Sequence, residues 1–477
     1  MGERIFVISD LHIGGEPGFQ MVLPSGQARL ASFIRSVTSQ HRSDLSAHIV
    51  LAGDVVDFLA EAPFAAFTPD EDEAARKLAR ILDDTAVIWE ALRAHVQAGA
   101  PLTLLLGNHD IELALPAPRR LFLERLTRGN VEFLDDDRAF TRGPLLIEHG
   151  NRYDGWNVVD YDGLRRLRAA LSRRETATGF APQPGSEMVA ALMNPLKQKY
   201  SFIDLLKPET ETVPPFLALL EPALLSDLKR LYELARLGRR AQGTRTARDL
   251  DALGAGSGPG GPRAPDEAML ALTEELAAPP QESGPEDGSE DGSEESGPPG
   301  RSRGFDDLVG FVDLWASARF SKTRSSAMLR KLRKALLAQA GAATQALHTG
   351  SEQDSYLNAA RDSASRGFEV VIYGHTHLVK RIELGGALYL NTGTWADLMV
   401  LPASALDLGA EEAVVLRELE AFAEDLATNQ LGRYRTAYPT FACVELAADQ
   451  RITGADVFRF TKDGESVRVP DGVLQLR

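Results

Sequence analysis

The sequence has a single cysteine and no long hydrophobic run. Cys443 has no partner in the 477-residue chain, so an internal disulfide is excluded. No apolar run approaches the roughly 18–20 residues that a membrane-spanning helix needs. The first ten residues enter a strand-like run directly, without the basic start and apolar stretch of a signal peptide. Apolar residues make up 44% and charged residues 25%, which is an ordinary globular composition. Together with the absences above, it leads us to expect a soluble, cytoplasmic protein.

The net charge of −16 is concentrated in one part of the chain. Residues 251–300 contain twelve Asp or Glu residues and one Arg, and residues 281–300 contain no apolar side chain. Such a segment buries nothing that would offset the entropy lost on ordering, so we predict a disordered acidic linker at about 252–304. The overall acidity therefore does not by itself indicate a basic partner.

Short Val, Ile and Leu runs alternate with amphipathic stretches over residues 1–155, and further apolar runs follow after residue 366. Most lack polar alternation, as expected of strands that are covered on both faces. We predict an α/β (α+β) catalytic domain built from residues 1–158 and 366–477, with a large, mainly helical insertion or cap at 159–365. The predicted strands are Ile5–Ser9, Ile49–Ala52, Leu102–Leu106, Leu145–Ile147, Val370–Tyr373, Ala387–Leu390, Thr440–Leu446 and Asp456–Phe460.

Side chains that can bind metal ions follow five of these strands. Ligands of open α/β sheets bind beyond the carboxyl ends of the strands, so the side chains are predicted to meet at one rim. Residues i and i+2 of an extended strand end point the same way, which makes Asp10/His12 and His375/His377 predicted two-ligand pairs. The adjoining glycines allow backbone to approach closely. The five motifs are Asp10-Leu-His12, Gly53-Asp54-Val-Val-Asp57, Gly107-Asn108-His109-Asp110, Glu148-His149-Gly150 and Gly374-His375-Thr-His377.

Together the motifs resemble those of the calcineurin-like metallophosphoesterase superfamily. The run YLNTGTWAD at 389–397 and the segment HGNRYD at 149–154 are similar to the branch that contains UDP-diacylglucosamine pyrophosphatases. The resemblance covers residues 1–155 and 366–477. It implies a four-layer metallophosphoesterase β-sandwich flanked by helices, with the site at one sheet rim.

The resemblance also implies two divalent metal ions. A mixed nitrogen and oxygen ligand set suits Mn²⁺, which we favour, and also Fe or Zn²⁺. One ion would be held by three residues, the other by three more, and one carboxylate would bridge them. These are Asp10, His12 and His377 for the first ion, Asn108, His149 and His375 for the second, and Asp54 as the bridge.

The remaining predicted site residues act on the substrate. By resemblance, His109 would face the scissile phosphate and stabilise its charge or protonate the leaving oxygen. Asp57 would orient His109, although a helix N-cap is the alternative interpretation of this residue. Asn151, Arg152 and Asp154 are predicted to bind substrate.

These features predict a hydrolase that cleaves a phosphodiester or diphosphate bond by a two-metal, metal-hydroxide in-line mechanism, on a phosphorylated small molecule such as a nucleotide- or lipid-linked diphosphate. A DNA or RNA nuclease of the same superfamily and a non-catalytic binding module are the alternatives. The basic segments 164–174 and 319–334 have two possible interpretations: they bind a nucleic-acid partner, or they are solvated helices packed on the core. The apolar segment 213–237 leaves open core packing, an oligomer contact, or peripheral contact with the inner face of the membrane.

Overall fold

The structure is a computed structural model. It describes residues 2–127, 129–176, 179–206, 344–407, 409–427 and 430–476, together with residues 329, 330, 332–334 and 337. The predicted acidic linker, the apolar segment 213–237 and most of the basic segment 319–334 lie outside the described residues. No helix among the described residues is long and apolar enough to cross a membrane.

The larger sheet is mixed and has seven strands within the described part of the chain. The first four strands along the chain run parallel, and the N-terminal strand also pairs antiparallel with a strand near the C-terminus, with Phe6 opposite Cys443. In spatial order the strands are β14 (Ser466–Arg468), β13 (Ile452–Phe460), β12 (Thr440–Leu446), β1 (Gly2–Ile8), β2 (Leu45–Ala52), β3 (Leu102–Leu105) and β4 (Val131–Leu134).

A second, five-stranded sheet joins residues from both parts of the predicted catalytic domain. Its three central strands are parallel, and the two edge strands are antiparallel to their neighbours. In spatial order they are β5 (Phe140–Arg142), β6 (Leu145–Ile147), β7 (Val370–Tyr373), β9 (Leu388–Asn391) and β8 (Lys380–Glu383). A two-stranded ladder is formed by β10 (Asp397–Met399) and β11 (Arg435–Ala437).

The helices begin at residues that suit a helix N-terminus. Asp70 accepts a hydrogen bond from the Glu73 amide and Asp160 accepts one from the Gly163 amide, which satisfies exposed donors of the first turn. Several helices begin with proline, whose missing N–H is not needed there. The helices are α1 (Pro24–Thr38), α2 (Glu71–Asp84), α3 (Ala86–Gln97), α4 (Pro116–Arg125), α5 (Tyr161–Ser172), α6 (Pro184–Met188), α7 (Asn194–Lys199), α8 (Asp354–Ser365) and α9 (Glu412–Ala427).

Short helical turns complete the elements of the described chain. A π-helical turn joins α6 to α7 over Val189–Met193. The 3₁₀ turns are Phe58–Ala60, Ile111–Ala114, Asn151–Tyr153, Ile203–Leu205, Ala403–Leu406 and Leu431–Arg433.

The two sheets pack face to face through a buried apolar layer. Val7 and Val50 of the larger sheet share this layer with Ile147 and Ile372 of the smaller one. Alternate residues point to opposite faces of a strand, so the other face of each sheet is covered by helices. Phe33 of α1 packs on the larger sheet, and α8 packs on the smaller one. The mixed α/β architecture with a helix–sheet–sheet–helix order confirms the predicted fold class.

The chain after residue 158, predicted to begin the insertion, continues to pack on the larger sheet. Val159, Leu164 and Leu167 are buried in the same apolar cluster as residues of β1 and β2. The domain boundaries and the function of the insertion as a cap stay predictions.

Candidate metal centre

Three groups of possible metal ligands lie at the rim where the parallel strands end. Within each group, one nitrogen or oxygen atom per residue lies within 4.8 Å of the others. The loops after β1, β2, β3, β6 and β7 thus meet at one place, as the strand-end pattern predicted. The groups are Asp10, His12 and His377; His12, Asp57 and His109; and Asp54, His149 and His375.

The extended conformation predicted for the two-ligand pairs is wrong. β1 ends at Ile8 and β7 ends at Tyr373, before the ligands begin. Five of the seven predicted ligands have left-handed backbone, with φ of 52° at Asp10, 43° at His12, 50° at Asp54, 72° at His375 and 60° at His377. This conformation costs a residue with a Cβ about 1–2 kcal/mol and persists only where surrounding contacts enforce it.

Backbone hydrogen bonds between two loops enforce that conformation. The Asp10 amide donates to the Gly53 carbonyl oxygen at 3.1 Å, and the His12 amide donates to the Asp54 carbonyl oxygen at 2.9 Å. The Asp10 carboxylate accepts hydrogen bonds from the His375 amide at 2.9 and 3.1 Å. The first, second and last ligand motifs are therefore tied together by main chain as well as by side chains.

The Asp54 carboxylate lies between the predicted ligands of both ions. Its Oδ2 atom is 3.2 Å from His149 Nε2 and 3.8 Å from His12 Nε2, and its Oδ1 atom accepts a hydrogen bond from the His109 amide at 2.8 Å. Burial raises the pKa of Asp54, but the nearby His149 and His109 imidazoles hold it well below its usual value. This placement suits the bridging position predicted for Asp54.

The donor atoms of the residues predicted to bind the second ion (Asn108, His149 and His375) fit a divalent cation. His149 Nδ1 donates to the Ala52 carbonyl oxygen at 2.8 Å, which leaves Nε2 as the atom with the free lone pair. His149 Nε2 lies 3.2 Å from the Asp54 carboxylate, and Asn108 Oδ1 is buried without a hydrogen-bond partner within the described residues. A buried acceptor left unsatisfied costs about 1–3 kcal/mol, and imidazole nitrogen with amide oxygen suits Mn²⁺, Fe or Zn²⁺.

Two glycines permit the close approach of these loops, as predicted. A Cβ on Gly107 would lie 2.0 Å from Asp54 Oδ1, and a Cβ on Gly374 would lie 2.7 Å from Asp10 Oδ2. Both distances are far inside van der Waals contact, so any larger residue at either position would displace a predicted ligand.

His109 and Asp57 form a hydrogen-bonded pair beside the ligands. His109 Nδ1 donates to Asp57 Oδ1 at 3.2 Å, and the same oxygen accepts from the Leu59 amide at 3.0 Å and the Ala60 amide at 3.2 Å. Asp57 therefore orients His109 and caps a short helix at the same time. The side chain of His109 is 19% exposed while that of Asp57 is 3% exposed, so the imidazole is the accessible member of the pair.

Charge at this pair favours an imidazolium. Burial lowers the pKa of His109, but the carboxylates of Asp57 and Asp54 raise it to about 9. A cation that the sequence motifs did not reveal also acts here: the charge of Lys197, which is ion-paired with Asp204, lowers the same pKa.

The three predicted substrate-binding residues adjoin the second-ion ligands. Asn151 is buried and donates to the Asn157 carbonyl oxygen at 2.8 Å, and Arg152 lies 3.5 Å from a Glu148 carboxylate oxygen. Asp154 Oδ2 accepts a hydrogen bond from His375 Nε2 at 3.1 Å. Their contact with a substrate stays a prediction.

Sequence reasoning missed residues that hydrogen-bond to a predicted ligand of the second ion. Asn157 Oδ1 accepts a hydrogen bond from Asn108 Nδ2 at 3.4 Å, and Gln183 Nε2 donates to the Asn108 carbonyl oxygen at 2.7 Å. Asn157 follows the HGNRYD segment closely enough to have been found by proximity. Gln183 and Lys197 lie beyond the predicted strands, where no motif marked them.

Most arginines of the basic segment 164–174 lie close to a carboxylate. In α5 and just after it, four arginines have an acid within ion-pair distance, which favours a solvated helix packed on the core. The pairs are Arg165 with Asp162, Arg166 with Asp160, Arg168 with Asp135 and Arg173 with Glu175.

A two-sheet sandwich with clustered His and Asp residues at its rim is consistent with a metallophosphoesterase fold. Residues 3–187 match the family model described as calcineurin-like phosphoesterase. The matched part contains four of the five motifs, and the motif with His375 and His377 lies outside it. No curated protein matches the chain. The family match and the His/Asp groups support the calcineurin-like superfamily and a metal-dependent phosphoesterase, which is a hydrolase.

Proposed function

We propose that this protein hydrolyses a phosphodiester or diphosphate bond with two divalent metal ions. The observation that supports this most directly is the position of Asp54, whose carboxylate lies 3.2 Å from a predicted ligand of one ion and 3.8 Å from a predicted ligand of the other. Asp10, His12 and His377 would hold the first ion, and Asn108, His149 and His375 the second.

The ions, when bound, would supply Lewis-acid chemistry, lowering the pKa of water and neutralising phosphate charge. The protein supplies the acid. Because Asp57 accepts the hydrogen bond of His109 Nδ1, the other ring nitrogen of His109 is left for the substrate. Because the Asp57 carboxylate raises the pKa of His109, the ring would be available in its protonated form to donate a proton to the leaving oxygen or stabilise phosphate charge.

A nucleotide- or lipid-linked diphosphate is the substrate class we favour. The YLNTGTWAD run, on which the resemblance to the pyrophosphatase branch depends, packs against the first ligand motif. Thr394 Oγ1 donates to the Asp10 carbonyl oxygen at 2.7 Å, and the Trp395 amide donates to the same oxygen at 3.3 Å. The nuclease alternative loses support at α5, because the arginines there are paired with acids.

The proposal is tested by Mn²⁺-reconstituted hydrolysis of three substrate types: a UDP-linked lipid diphosphate, a generic phosphodiester, and single- and double-stranded DNA. We expect cleavage of the diphosphate. Cleavage of DNA that falls steeply with salt concentration would favour the nuclease instead. No hydrolysis of any of the three would contradict the proposed activity.

Asp54→Asn is the inactive control for these assays. Because it removes the charge that both ions would share, we expect turnover to fall at least about a hundredfold and Mn²⁺ content to decrease. Asp44→Asn, at an exposed carboxylate paired with Arg42, is the matched control and should leave both unchanged. Wild-type activity of Asp54→Asn would contradict the two-metal assignment.

A further inference from the structure

Asp154 and Asn157 connect two predicted ligands of the second ion. Asp154 Oδ2 accepts hydrogen bonds from His375 Nε2 at 3.1 Å and from Asn157 Nδ2 at 2.7 Å. Asn157 Oδ1 in turn accepts one from Asn108 Nδ2 at 3.4 Å. A continuous path of three hydrogen bonds therefore runs from Asn108 through Asn157 and Asp154 to His375.

The path is fixed to the backbone around it. Asp154 Oδ1 accepts a hydrogen bond from the Trp156 amide at 3.0 Å, and the Asn157 carbonyl oxygen accepts one from Asn151 Nδ2 at 2.8 Å. The Gly185 amide donates to the Trp156 carbonyl oxygen at 2.8 Å, which joins this loop to the start of α6. Asp154 and Asn157 are therefore held in place by contacts within the chain itself.

Each end of the path leaves one atom available for a cation. A hydrogen on His375 Nε2, donated to Asp154, leaves the lone pair of that imidazole on Nδ1. Donation from Asn108 Nδ2 to Asn157 fixes the orientation of the amide and leaves Oδ1, which is buried without a partner in the described chain. A carboxylate that accepts the outer N–H of a ligating histidine also makes that histidine a stronger donor.

We propose that Asp154 and Asn157 are positioning residues that preset the ligands of the second ion and determine how tightly it binds. The inference rests on the proposed two-metal function, and it gives Asp154 a role different from the predicted substrate contact. The hydrogen bonds given above for Asp154 and Asn157 run to His375, Asn108, Asn151 and Trp156, and none of these is a predicted ligand of the first ion. We therefore expect the larger effect at the second ion.

The test is calorimetric titration of Mn²⁺ into the metal-stripped, full-length chain. We expect two sites in the wild-type protein. In Asp154→Ala and Asn157→Ala the first site should keep its Kd, and the Kd of the second should rise about 10- to 100-fold. Asp154→Asn keeps an oxygen that can accept from His375 and should show a smaller loss, and it replaces Asp154→Ala if that variant does not fold.

Glu3→Gln is the matched control. Glu3 Oε1 lies 3.0 Å from His48 Nδ1, so this variant also changes a carboxylate that contacts a histidine, but both residues lie on strands and outside the three ligand groups. It should leave both Mn²⁺ sites unchanged. Wild-type binding of both ions by the Asp154 and Asn157 variants, or equal weakening of both ions, would overturn the inference while leaving the proposed function intact. A wild-type chain that binds fewer than two Mn²⁺ ions would contradict the proposed function and, with it, the inference.

Discussion

Asp57 shows how much a single buried carboxylate does at this site. One of its oxygens caps the turn at Phe58–Ala60 and accepts the hydrogen bond of His109, and the other lies 3.4 Å from His12 Nδ1. Although burial opposes ionisation, the imidazoles of His109 and His12 hold the pKa of Asp57 well below its usual value. The residue is therefore charged at neutral pH and affects both a predicted ligand and the predicted acid.

We expect Asp57→Asn to move the alkaline limb of the activity profile to lower pH. Protonated His109 is present below its pKa and lost as the pH rises through it, and Asp57 is the carboxylate that raises this pKa most. Removing the charge should shift the limb by about one pH unit or more. Asparagine still caps a helix, so the turn is preserved. The measurement is kcat against pH, beside the Asp44→Asn control, and an unshifted limb would contradict the role given to Asp57.

At the scale of elements, strands that contain a continuous apolar run could be predicted from the sequence, and short strands without such a run could not. β6, β7 and β12 have the predicted bounds, because runs such as Val370–Tyr373 are apolar throughout. β8 and β14, which were not predicted, lie at sheet edges and have exposed or half-buried residues without an apolar run. The strand order could not be predicted from local sequence patterns, because β1 pairs with residues more than 430 positions away.

At the site, local motifs predicted which residues come together, but not their backbone conformation or the contacts that support them. The clustering of the predicted ligands could be foreseen from the motifs, because the strand ends carry them to one rim. Their left-handed backbone could not, since it depends on hydrogen bonds between Asp10 and Gly53 and between His12 and Asp54. The hydrogen bond from Gln183 to Asn108 likewise joins segments that share no sequence pattern.

We expect Gly107→Ala to disturb the site through steric contact alone. The new Cβ would lie 2.0 Å from Asp54 Oδ1 and 2.4 Å from the Asp54 amide nitrogen, so the loop must shift, at a cost of about 1–3 kcal/mol. Mn²⁺ content and melting temperature should both fall. Gly432→Ala, where a Cβ would meet nothing within 4 Å, is the control and should change neither. Full Mn²⁺ content in Gly107→Ala would show that the two loops are not as tightly packed as described.

For the whole molecule, we expect bound ions to stabilise the packing of the two sheets against each other. The predicted ligands come from loops of both, so a cation that binds only the folded chain stabilises their assembly. At a Mn²⁺ concentration of 100 times each Kd, we expect about 2.7 kcal/mol of stabilisation per ion, about 5.4 kcal/mol for two ions, and a melting temperature about 5 °C higher than in EDTA. Asp54→Asn should lose most of this difference, and equal melting temperatures of the wild-type protein in Mn²⁺ and EDTA would contradict the prediction.

Deletion of residues 281–300 should leave the melting temperature and Mn²⁺ content unchanged. This segment has no apolar side chain, so removing it takes away no buried surface, and shortening a long connection changes its closure entropy only slightly. The comparison is thermal unfolding of the two chains in the same buffer. A loss of several degrees would show that the segment contacts the folded protein.

The pairing of β1 with β12 has a consequence for the order in which the protein can be completed on the ribosome. Asp10, His12 and Asp54 are synthesised early, whereas His375, His377 and the strand opposite β1 emerge only after more than 300 further residues. Until then the nascent chain has an unpaired strand edge and an incomplete set of ligands. A polypeptide released before residue 375 would therefore contain residues 3–187, which match the calcineurin-like phosphoesterase model, but would lack the predicted ligands His375 and His377.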